Sequence, residues 1–312
     1  MTAPAPTHVP VMFDEVMEAL RLSPGMVAVD GTLGLAGHAR EIARRIAPGG
    51  KLIAFDWDDR MMAIARERLA EVEGCDVQYV HEDYRAIPEV LQKQAEPGAD
   101  AIFIDMGLNN AQIEDAEYGI SFLREGPLDM RMDKRRETTA ADWLNHATAQ
   151  EIEDVLFNEG GERWARRIAA TIVERRKTKP LATTTDLVDC VMAAIPAAKR
   201  DPRIHPATRT FQGVRIFIND ELEDLGECVT AIAQSLRPGG TMVVLAYHSG
   251  EDGAVKHAFH ALARTDEFSE PHRKPARPSE AEVARNPKAR SVRLRTLVRQ
   301  PKSKKKAPEG AA

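Results

Sequence analysis

The sequence predicts an α/β protein whose parallel, doubly wound sheet is interrupted by an all-helical insertion. Three observations predict this fold class. Short apolar runs alternate with helical patterns over the first 110 residues, helical patterns alone fill roughly the next hundred, and a strand pattern returns over residues 241–247. Strand-helix alternation is typical of parallel sheets covered by helices. Because the insertion follows a strand, we expect it to roof the ligand crevice at the carboxyl edge of the sheet.

The first 110 residues predict four strands and three helices in strict alternation. The strands are predicted over residues 26–29, 51–55, 76–80 and 101–104, and the helices over residues 39–46, 61–72 and 87–94. Apolar residues occur at helical spacing in the second helix, as expected for one buried face. Asp30, Asp56 and Asp105 directly follow three of the strands.

The insertion shows the patterns of four helices, over residues 140–145, 149–157, 162–176 and 185–194. Thr148 is a predicted N-cap because Glu151 follows three residues later, and Thr184 or Thr185 is the predicted cap of the last helix. A long helix over residues 213–236 and a turn at Pro238-Gly239-Gly240 then lead into the returning strand.

These patterns predict three parts of the chain. We expect a cofactor-binding sheet domain formed by residues 1–110 and 213–299, and an inserted helical domain formed by residues 111–212 that recognises the substrate. Residues 300–312 are rich in Lys and Pro with almost nothing to bury, so this basic tail is predicted to be disordered.

The composition is that of an ordinary globular protein, with 43% apolar and 29% charged residues among 312. The longest apolar run, residues 242–247, is far shorter than the ~20 residues that cross a bilayer. The N-terminal sequence shows no secretory signal, so we predict a cytoplasmic protein with no membrane partner. Cys75, Cys190 and Cys228 form no Cys-x-x-Cys pair, which argues against a disulfide framework and a zinc site.

Charge is distributed unevenly along the chain. The formal net charge of −5 alone would argue against a nucleic-acid partner. Residues 271–312, however, carry thirteen Lys or Arg and three Glu, a charge of +10, which leaves −15 on the first 270 residues. The tail is therefore either a solubilising appendage or an arm that docks onto a phosphate backbone.

A glycine-rich turn follows the first predicted strand. Gly31, Gly34 and Gly37 allow a tight turn and a close approach to a ligand, although their spacing departs from the Gly-x-Gly-x-x-Gly dinucleotide pattern. Asp56, nineteen residues after Gly37, is placed to accept both ribose hydroxyls of a nucleoside. No Lys follows the glycines, so phosphate is not the main target.

Polar residues also follow the third and fourth strands, at Asp83-Tyr84 and at Asp105. Residues at the carboxyl ends of parallel strands converge on one crevice. An adenosine-bearing cofactor with little phosphate fits this pattern best, and S-adenosylmethionine is the prime candidate. A nicotinamide-dependent dehydrogenase would also use an acidic residue at the position of Asp56 to bind a ribose, but the glycine spacing disfavours this class of enzyme.

Eight sequence blocks, spread over residues 8–295, carry a family resemblance. They are HVPVMFDEVMEAL, DGTLGLAGHA, GPLDMRMD, GGERWARRIAATIVERR, HPATRTFQGVRIFINDEL, RPGG, HSGEDGAVK and NPKARSVRLR. In this order they resemble the bacterial methyltransferases that modify N4 of a cytosine in the decoding region of small-subunit (16S) ribosomal RNA. The resemblance implies a class I, Rossmann-like methyltransferase sheet with an inserted helical domain, S-adenosylmethionine as cofactor, and ribosomal RNA or the assembled 30S subunit as partner. The sequence does not distinguish a monomer from a homodimer.

The resemblance also implies roles for individual residues. Cofactor contacts are expected at Ala36, Gly37, His38, Asp56, Tyr84, Asp105 and Gln112. Asp105 and Asn109 are the expected catalytic residues, because an oxygen acceptor there would hold the amine that receives the methyl group. RNA contacts are expected at Arg131, Arg209 and Arg215, and along the basic C-terminal run.

Three motifs depart from the family pattern. The chain has GLAGH, DMGLNN and YHSGEDG where the family usually has Gly-Arg-Gly-Gly-His, Asp-Leu-Gly-Val-Ser-Ser and Phe-His-Ser-Leu-Glu-Asp-Arg. These departures motivate an alternative, a non-catalytic or retargeted RNA-binding ribosome-assembly factor on the same fold. His257 and His260 lack a nearby third ligand in the sequence, so they predict an ordinary helix face and no metal.

Overall fold

The computed structural model describes residues 10–301. The described residues divide into two compact units, a helical unit of residues 108–223 and a sheet unit of residues 10–107 and 224–301. Apart from its first two residues, the predicted basic tail lies outside the described range. Within that range no helix has the length and apolar character that crossing a membrane requires.

The helices and strands, in chain order, run through the sheet unit, then the helical unit, then the sheet unit again. The first part contains α1 (Phe13–Leu20), β1 (Val27–Asp30), α2 (Gly37–Ile46), β2 (Gly50–Phe55), α3 (Asp59–Leu69), β3 (Cys75–Val80), α4 (Ile87–Lys93) and β4 (Ala99–Asp105). The helical unit contains α5 (Asn110–Glu114), α6 (Ala140–His146), α7 (Ala149–Asn158), α8 (Ala165–Arg176), α9 (Thr184–Ala194) and α10 (Thr208–Ile218). The last part contains α11 (Leu225–Gln234), β5 (Leu236–Ala246), α12 (Ser249–Leu262), β6 (Phe268–Ser269), α13 (Glu280–Arg285) and β7 (Arg293–Arg299).

The strands of the sheet unit form one sheet in the order β3-β2-β1-β4-β5-β7-β6. The first five strands are parallel, and β7 and β6 are antiparallel additions at one edge. After β3 the chain returns across β1 to form β4, so the strand order reverses between β1 and β4. In sheets of this kind, ligands bind at the carboxyl ends of the strands beside such a reversal.

The core of the sheet unit forms around the central strands. All four residues of β1 are buried, as are five of the six in β2. Met17 of α1, Ile42 of α2 and Leu69 of α3 belong to the same buried cluster as Phe103 of β4. Parallel strands covered on both faces are continuously apolar, which explains why the sequence shows them as apolar runs.

The predicted α/β fold class is confirmed, and each of the first four strands lies within two residues of its predicted bounds. The predicted turn at Pro238-Gly239-Gly240 is wrong, because these residues lie within β5. They form an irregularity between the pairs Ala99↔Leu236 and Ala101↔Thr241. Gly239 has a φ of 90°, so the turn-forming residues are accommodated as a bulge and the strand continues beyond them.

The helical unit contains the four predicted helices of the insertion, and Thr148 caps α7 through a capping box with Glu151, as predicted. Two details are wrong. Helix α8 begins at Ala165, three residues after its predicted start, and the N-cap of α9 is Thr183 where Thr184 or Thr185 was expected. The Thr183 side chain accepts a hydrogen bond from the amide of Asp186.

The long helix predicted over residues 213–236 is also wrong, because the chain breaks between α10 and α11. Asn219 ends α10 with a fully buried side chain that donates to the Met130 carbonyl and accepts from the Met132 amide, each at 2.8 Å. Asp220 and Asp224 then take positive φ values of 52° and 49°. The division between the two units lies in this break, whereas the predicted domain boundary at residues 212/213 falls inside α10.

Candidate active site

Three adjacent strands of the sheet unit end in an aspartate. β1 ends at Asp30, β2 is followed by Asp56 and β4 ends at Asp105. Asp30, the last residue of β1, pairs with Ala54 of β2 and with Phe103 of β4. Asp56 and Asp105 therefore lie two residues beyond the positions that are level with Asp30. The structure thus brings three carboxyl groups to one edge of the sheet, beside the strand-order reversal.

The turn after β1 is held by these carboxyl groups. Asp56 Oδ2 accepts from the amide of Gly34 at 2.7 Å, and Asp56 Oδ1 accepts from the amide of Asp58 at 2.9 Å. Each oxygen keeps a second lone pair for another donor. Ala36 has a φ of 59°, an unusual value for a residue with a Cβ, at the point where the turn enters α2.

Packing accounts for two of the three glycines of this turn, and backbone conformation accounts for the third. A Cβ on Gly31 would lie 3.0 Å from Cβ of Tyr84, and one on Gly37 would lie 2.6 Å from Cγ of Pro10. Gly34 differs from these two because its φ of 49° favours glycine. Two of the three glycines therefore face neighbouring protein atoms.

His38, a predicted cofactor contact, is buried in the sheet unit. Its Nε2 lies 3.1 Å from the carbonyl oxygen of Val11, and its ring packs between those of Phe13 and Phe103. These contacts anchor the start of α2 to the segment that precedes α1. They give the His38 ring a structural task, while its role toward a cofactor stays a prediction.

Asp105 is held by groups on both sides of β4. Its amide donates to Thr32 Oγ1 at 2.7 Å, and its Oδ1 accepts from the amide of Gly107 at 3.0 Å. The Tyr247 hydroxyl donates to the same carboxylate. A Cβ on Gly107 would lie 2.4 Å from Cε2 of Tyr247, so only glycine lets this ring approach. Thr32 and Tyr247 had not been predicted as site residues.

Burial dominates the electrostatics of the strand ends. It raises the pKa of Asp30 and of Asp56 to about 7, and that of Asp105 to about 6. Repulsion from the charges of Asp105 and Asp56 further raises the pKa of Asp30. Because these values exceed the ordinary 3.8, the stability that protonation provides is present at low pH and is lost as pH rises through 6 to 7.

This cluster of carboxyl groups selects for the charge of a ligand. A cation offsets the repulsion among the ionised aspartates, whereas a pyrophosphate would add to it. The acidic strand ends therefore favour a cationic nucleoside such as S-adenosylmethionine over a nicotinamide dinucleotide. The electrostatics and the glycine spacing therefore both disfavour a nicotinamide dinucleotide.

Tyr84 follows β3 in a short 3-10 turn capped by Asp83. The Arg85 guanidinium lies 5.5 Å from the centroid of the Tyr84 ring and pairs with Asp83 at 3.0 Å. Burial raises the pKa of Tyr84 well above its usual value, so the ring stays uncharged. An uncharged aromatic face of this kind suits an adenine ring.

The carboxyl end of β5 contributes Glu251, which the sequence had not marked as a site residue. Its buried Oε2 accepts from the amides of Tyr247 and His248 at 2.7 and 3.2 Å, closing a capping box at the start of α12. Its negative charge raises the pKa of Asp105. The sequence signals for this residue are its place in the YHSGEDG motif and the His-x-x-Glu spacing after a buried strand.

Asn109 and Gln112 belong to the helical unit, where they cap α5. Asn109 Oδ1 accepts from the amide of Gln112 at 2.9 Å, and Gln112 Oε1 accepts from the amide of Asn109 at 3.3 Å. Both side chains thus hold the start of a helix. Their expected roles in catalysis and cofactor binding stay predictions.

The three predicted RNA contacts differ in how strongly they are paired. Arg131 binds both oxygens of Asp129, at 2.7 and 3.0 Å, and Arg215 binds both oxygens of Glu221, at 2.8 and 2.7 Å. Arg209 makes only a long hydrogen bond, 3.5 Å, to the carbonyl of Gly161. Of the three, Arg209 is the guanidinium whose charge remains available to a phosphate.

Comparisons over the whole sequence identify relatives of this chain. The model of the MraW methylase family matches residues 5–300. A protein of Citrifermentans bemidjiense, named ribosomal RNA small subunit methyltransferase H, is 41% identical over 305 residues, covering 93% of this chain and 97% of its own. A Coxiella burnetii protein of the same name is 42% identical over 304 residues, covering 93% and 98%.

Solved structures are more distant. An rRNA methylase from Streptococcus thermophilus is 10% identical, with a TM-score of 0.39, and the match covers 92% of this chain and 93% of that one. The fold assignment therefore rests on the observed strand order and on the family match.

Proposed function

The chain belongs to the MraW methylase family, and from this premise we propose that it transfers a methyl group from S-adenosylmethionine to N4 of a cytosine in the decoding region of small-subunit ribosomal RNA. The observation that carries this proposal is the set of three aspartates at the ends of β2, β1 and β4. It supplies a ribose acceptor, a negative field for a cation and an acceptor for an amine in one crevice.

The residues of the crevice fit the cofactor by their chemistry. Asp56 has free lone pairs for the ribose hydroxyls, Tyr84 offers an aromatic face, and the acidic strand ends complement a positive charge. When bound, S-adenosylmethionine supplies a methyl group activated by a sulfonium. The remaining task of the protein is to orient the acceptor amine.

Asp105 is the residue proposed to orient that amine. Its carboxylate already accepts from Gly107 and Tyr247, and it retains lone pairs for an N–H of cytosine N4. The new bond joins N4 to the methyl carbon as the bond from that carbon to sulfur breaks, and the proton that N4 loses passes to the Asp105 carboxylate, which releases it to solvent. With a pKa of about 6, Asp105 is mostly ionised at pH 7 and accepts the hydrogen bond in that form.

The residues of this site do not favour the alternative of a non-catalytic assembly factor. All three strand-end aspartates are present, and Gly107 leaves room for the ring that binds Asp105. The changed DMGLNN motif places Asn109 as a helix cap, a task for which asparagine is well suited. We therefore keep catalysis as the proposal.

We also propose that ribosomal RNA is the macromolecular partner and that the protein acts in the cytoplasm, where small subunits assemble. The assembled 30S subunit and protein-free RNA are the two forms to compare, and a homodimer is the oligomeric state to test. The arm from Gln300 remains a predicted contact to the phosphate backbone.

Radiolabelled S-adenosylmethionine tests the function. Small subunits from cells that lack this protein, and protein-free RNA extracted from them, are incubated with the purified chain. We expect label in the small-subunit RNA and N4-methylcytosine after nuclease digestion and mass spectrometry. Absence of label, under conditions in which a relative from Coxiella burnetii labels the same RNA, contradicts the proposal.

Cofactor affinity is expected to rise with pH. Burial holds the pKa of Asp56 near 7, and only its ionised form offers all of its lone pairs to the ribose. Affinity should be about tenfold weaker at pH 6 than at pH 8, since about nine-tenths of Asp56 is protonated at pH 6. Calorimetry between these two pH values measures the cofactor affinity. Asp58, His81 and the neighbouring Asp30 also influence the titration, so Asp56→Asn, which should flatten the curve, is the matched control.

Removing the Tyr247 hydroxyl is expected to shift the pH dependence of methyl transfer. The hydroxyl stabilises ionised Asp105 and lowers its pKa, so Tyr247→Phe raises that pKa. The rate should fall about threefold to tenfold near pH 6 and change little at pH 8. Tyr79→Phe on β3 is the control. A rate reduced equally at every pH would assign Tyr247 a packing role only.

A further inference from the structure

Guanidinium groups of the helical unit fall into two classes. Most are paired with carboxylates or with carbonyl oxygens. The ion pairs are Arg131–Asp129, Arg135–Asp133, Arg136–Asp220, Arg175–Asp186, Arg203–Asp201 and Arg215–Glu221. Arg124, Arg176 and Arg200 donate to carbonyl oxygens. Among the described residues of this unit, the guanidinium groups of Arg163, Arg166 and Arg167 have no carboxylate or carbonyl partner, and that of Arg209 has only the 3.5 Å hydrogen bond to the Gly161 carbonyl.

These four arginines lie around one turn, the loop between α7 and α8. Arg209 of α10 donates to the carbonyl of Gly161 at 3.5 Å, and a Cβ on Gly160 would lie 2.5 Å from the Arg209 carbonyl oxygen. Arg163 lies two residues beyond Gly161, and Arg166 and Arg167 are in the first turn of α8. Arg163, Arg166 and Arg167 are exposed, and Arg209 is half-exposed.

Two aromatic residues lie among the arginines. Phe157, near the end of α7, is 64% exposed, and its carbonyl accepts from the amide of Gly161 at 3.1 Å. The Arg167 guanidinium lies 5.3 Å from the centroid of the Trp164 ring. We name as the arginine surface the set Phe157, Arg163, Trp164, Arg166, Arg167 and Arg209.

We propose that the arginine surface binds the RNA strand that carries the target cytosine, with arginines on its phosphates and Phe157 against an unpaired base. This inference rests on the proposed function, because it names where that substrate binds. A chain with a net charge of −5 repels a polyanion over much of its surface, so binding requires a local group of uncompensated cations. The charge of Arg209 acts on the carboxylate of Asp201, but that carboxylate is already paired with Arg203.

The aromatic component distinguishes RNA from a simple polyanion. Single-stranded RNA is bound by cationic side chains along the backbone together with aromatic rings that stack on bases. Phe157 presents such a ring beside the arginines. A target cytosine must leave its stack before its amine is accessible, so a ring that stacks on an unpaired base of the same strand stabilises the open form.

The test uses a triple variant of the full chain, Arg163→Gln, Arg166→Gln and Arg209→Gln. The matched control removes three exposed cations from the sheet unit, by Arg44→Gln, Lys256→Gln and Arg264→Gln. Binding to a labelled decoding-region RNA is measured by fluorescence anisotropy from about 50 to 200 mM salt. We expect the arginine-surface variant to bind at least about a hundredfold more weakly near 100 mM salt, with a salt slope smaller by about 0.7 to 0.9 per lost contact.

Phe157→Ala separates stacking from charge. We expect RNA affinity to fall about tenfold with an unchanged salt slope, because a ring and no charge is lost. Leu123→Ala is the matched control, since Leu123 is 77% exposed in the same unit. Circular dichroism and thermal unfolding should be unchanged in all of these variants, which reports that the helical unit is folded, and cofactor affinity, measured by calorimetry, should be unchanged as well.

The outcomes separate this inference from the function on which it rests. If the unmodified chain does not methylate small-subunit RNA, the proposed function fails. If it does, and the arginine-surface variant keeps its RNA affinity or loses no more than the sheet-unit control, the inference fails alone. Weaker binding to assembled subunits with unchanged binding to protein-free RNA would also overturn it, since the surface would then bind a protein.

Discussion

Asp105→Ala is expected to lower the rate of methyl transfer by about two to three orders of magnitude, with a much smaller change in cofactor affinity. The carboxylate lies at the end of β4 and is fixed by the Gly107 amide and the Tyr247 hydroxyl. Alanine removes the acceptor that holds the amine of the target cytosine. Orientation of this kind supplies most of the rate when the methyl group is already activated.

Single-turnover transfer of labelled methyl, with enzyme in excess of RNA, measures the effect. Asp105→Asn keeps one acceptor oxygen and is expected to lose less than alanine. Asp76→Asn, an exposed position on β3, is the control for a change of charge in the same sheet. If Asp105→Ala retains a rate within threefold of the unmodified chain, Asp105 does not orient the amine.

Asp56→Ala is expected to weaken S-adenosylmethionine binding by about 1–3 kcal/mol, or roughly fivefold to 150-fold in Kd. The ribose hydroxyls lose their acceptor, and the amides of Gly34 and Asp58 lose theirs. The second loss loosens the turn after β1. Both effects act on binding, so the rate at saturating cofactor should change much less than Kd.

Calorimetry measures this affinity, and thermal unfolding without cofactor measures the cost of loosening the turn. Asp59→Ala is the matched control, because Asp59 is exposed three residues farther along. Thermal stabilisation by S-adenosylmethionine should shrink in the Asp56 variant and not in the control. Equal affinity in both variants would remove Asp56 from the binding site.

The sequence by itself predicted the sheet because local chemistry determines it. Strands buried on both faces must be apolar runs, so 26–29, 51–55, 76–80 and 101–104 predicted strands that the structure contains within two residues. Parallel strands also present their ends at one edge. Asp30, Asp56 and Asp105 could therefore be assigned to one crevice without coordinates.

Contacts between distant residues explain what the sequence missed. The helical pattern continues past Asn219 in the sequence, whereas in the structure its side chain binds Met130 and Met132, more than eighty residues earlier, as well as the local Arg215 carbonyl. Residues 238–240 have the composition of a turn, yet β5 continues through them because β4 supplies partners on both sides of the bulge. Local propensity is a weak prior when tertiary contacts oppose it.

The sequence determined the fold class, the cofactor crevice and the family, because apolar periodicity and contiguous motifs are properties of neighbouring residues. Only the tertiary structure decided which charges remain available. Arg131, Arg209 and Arg215 are equivalent in the sequence, but Asp129 and Glu221 neutralise two of them, while Arg209 has only a long hydrogen bond to a carbonyl of the loop that follows α7. The physical reason is that ion pairing depends on distance in space, which the order of residues alone does not fix.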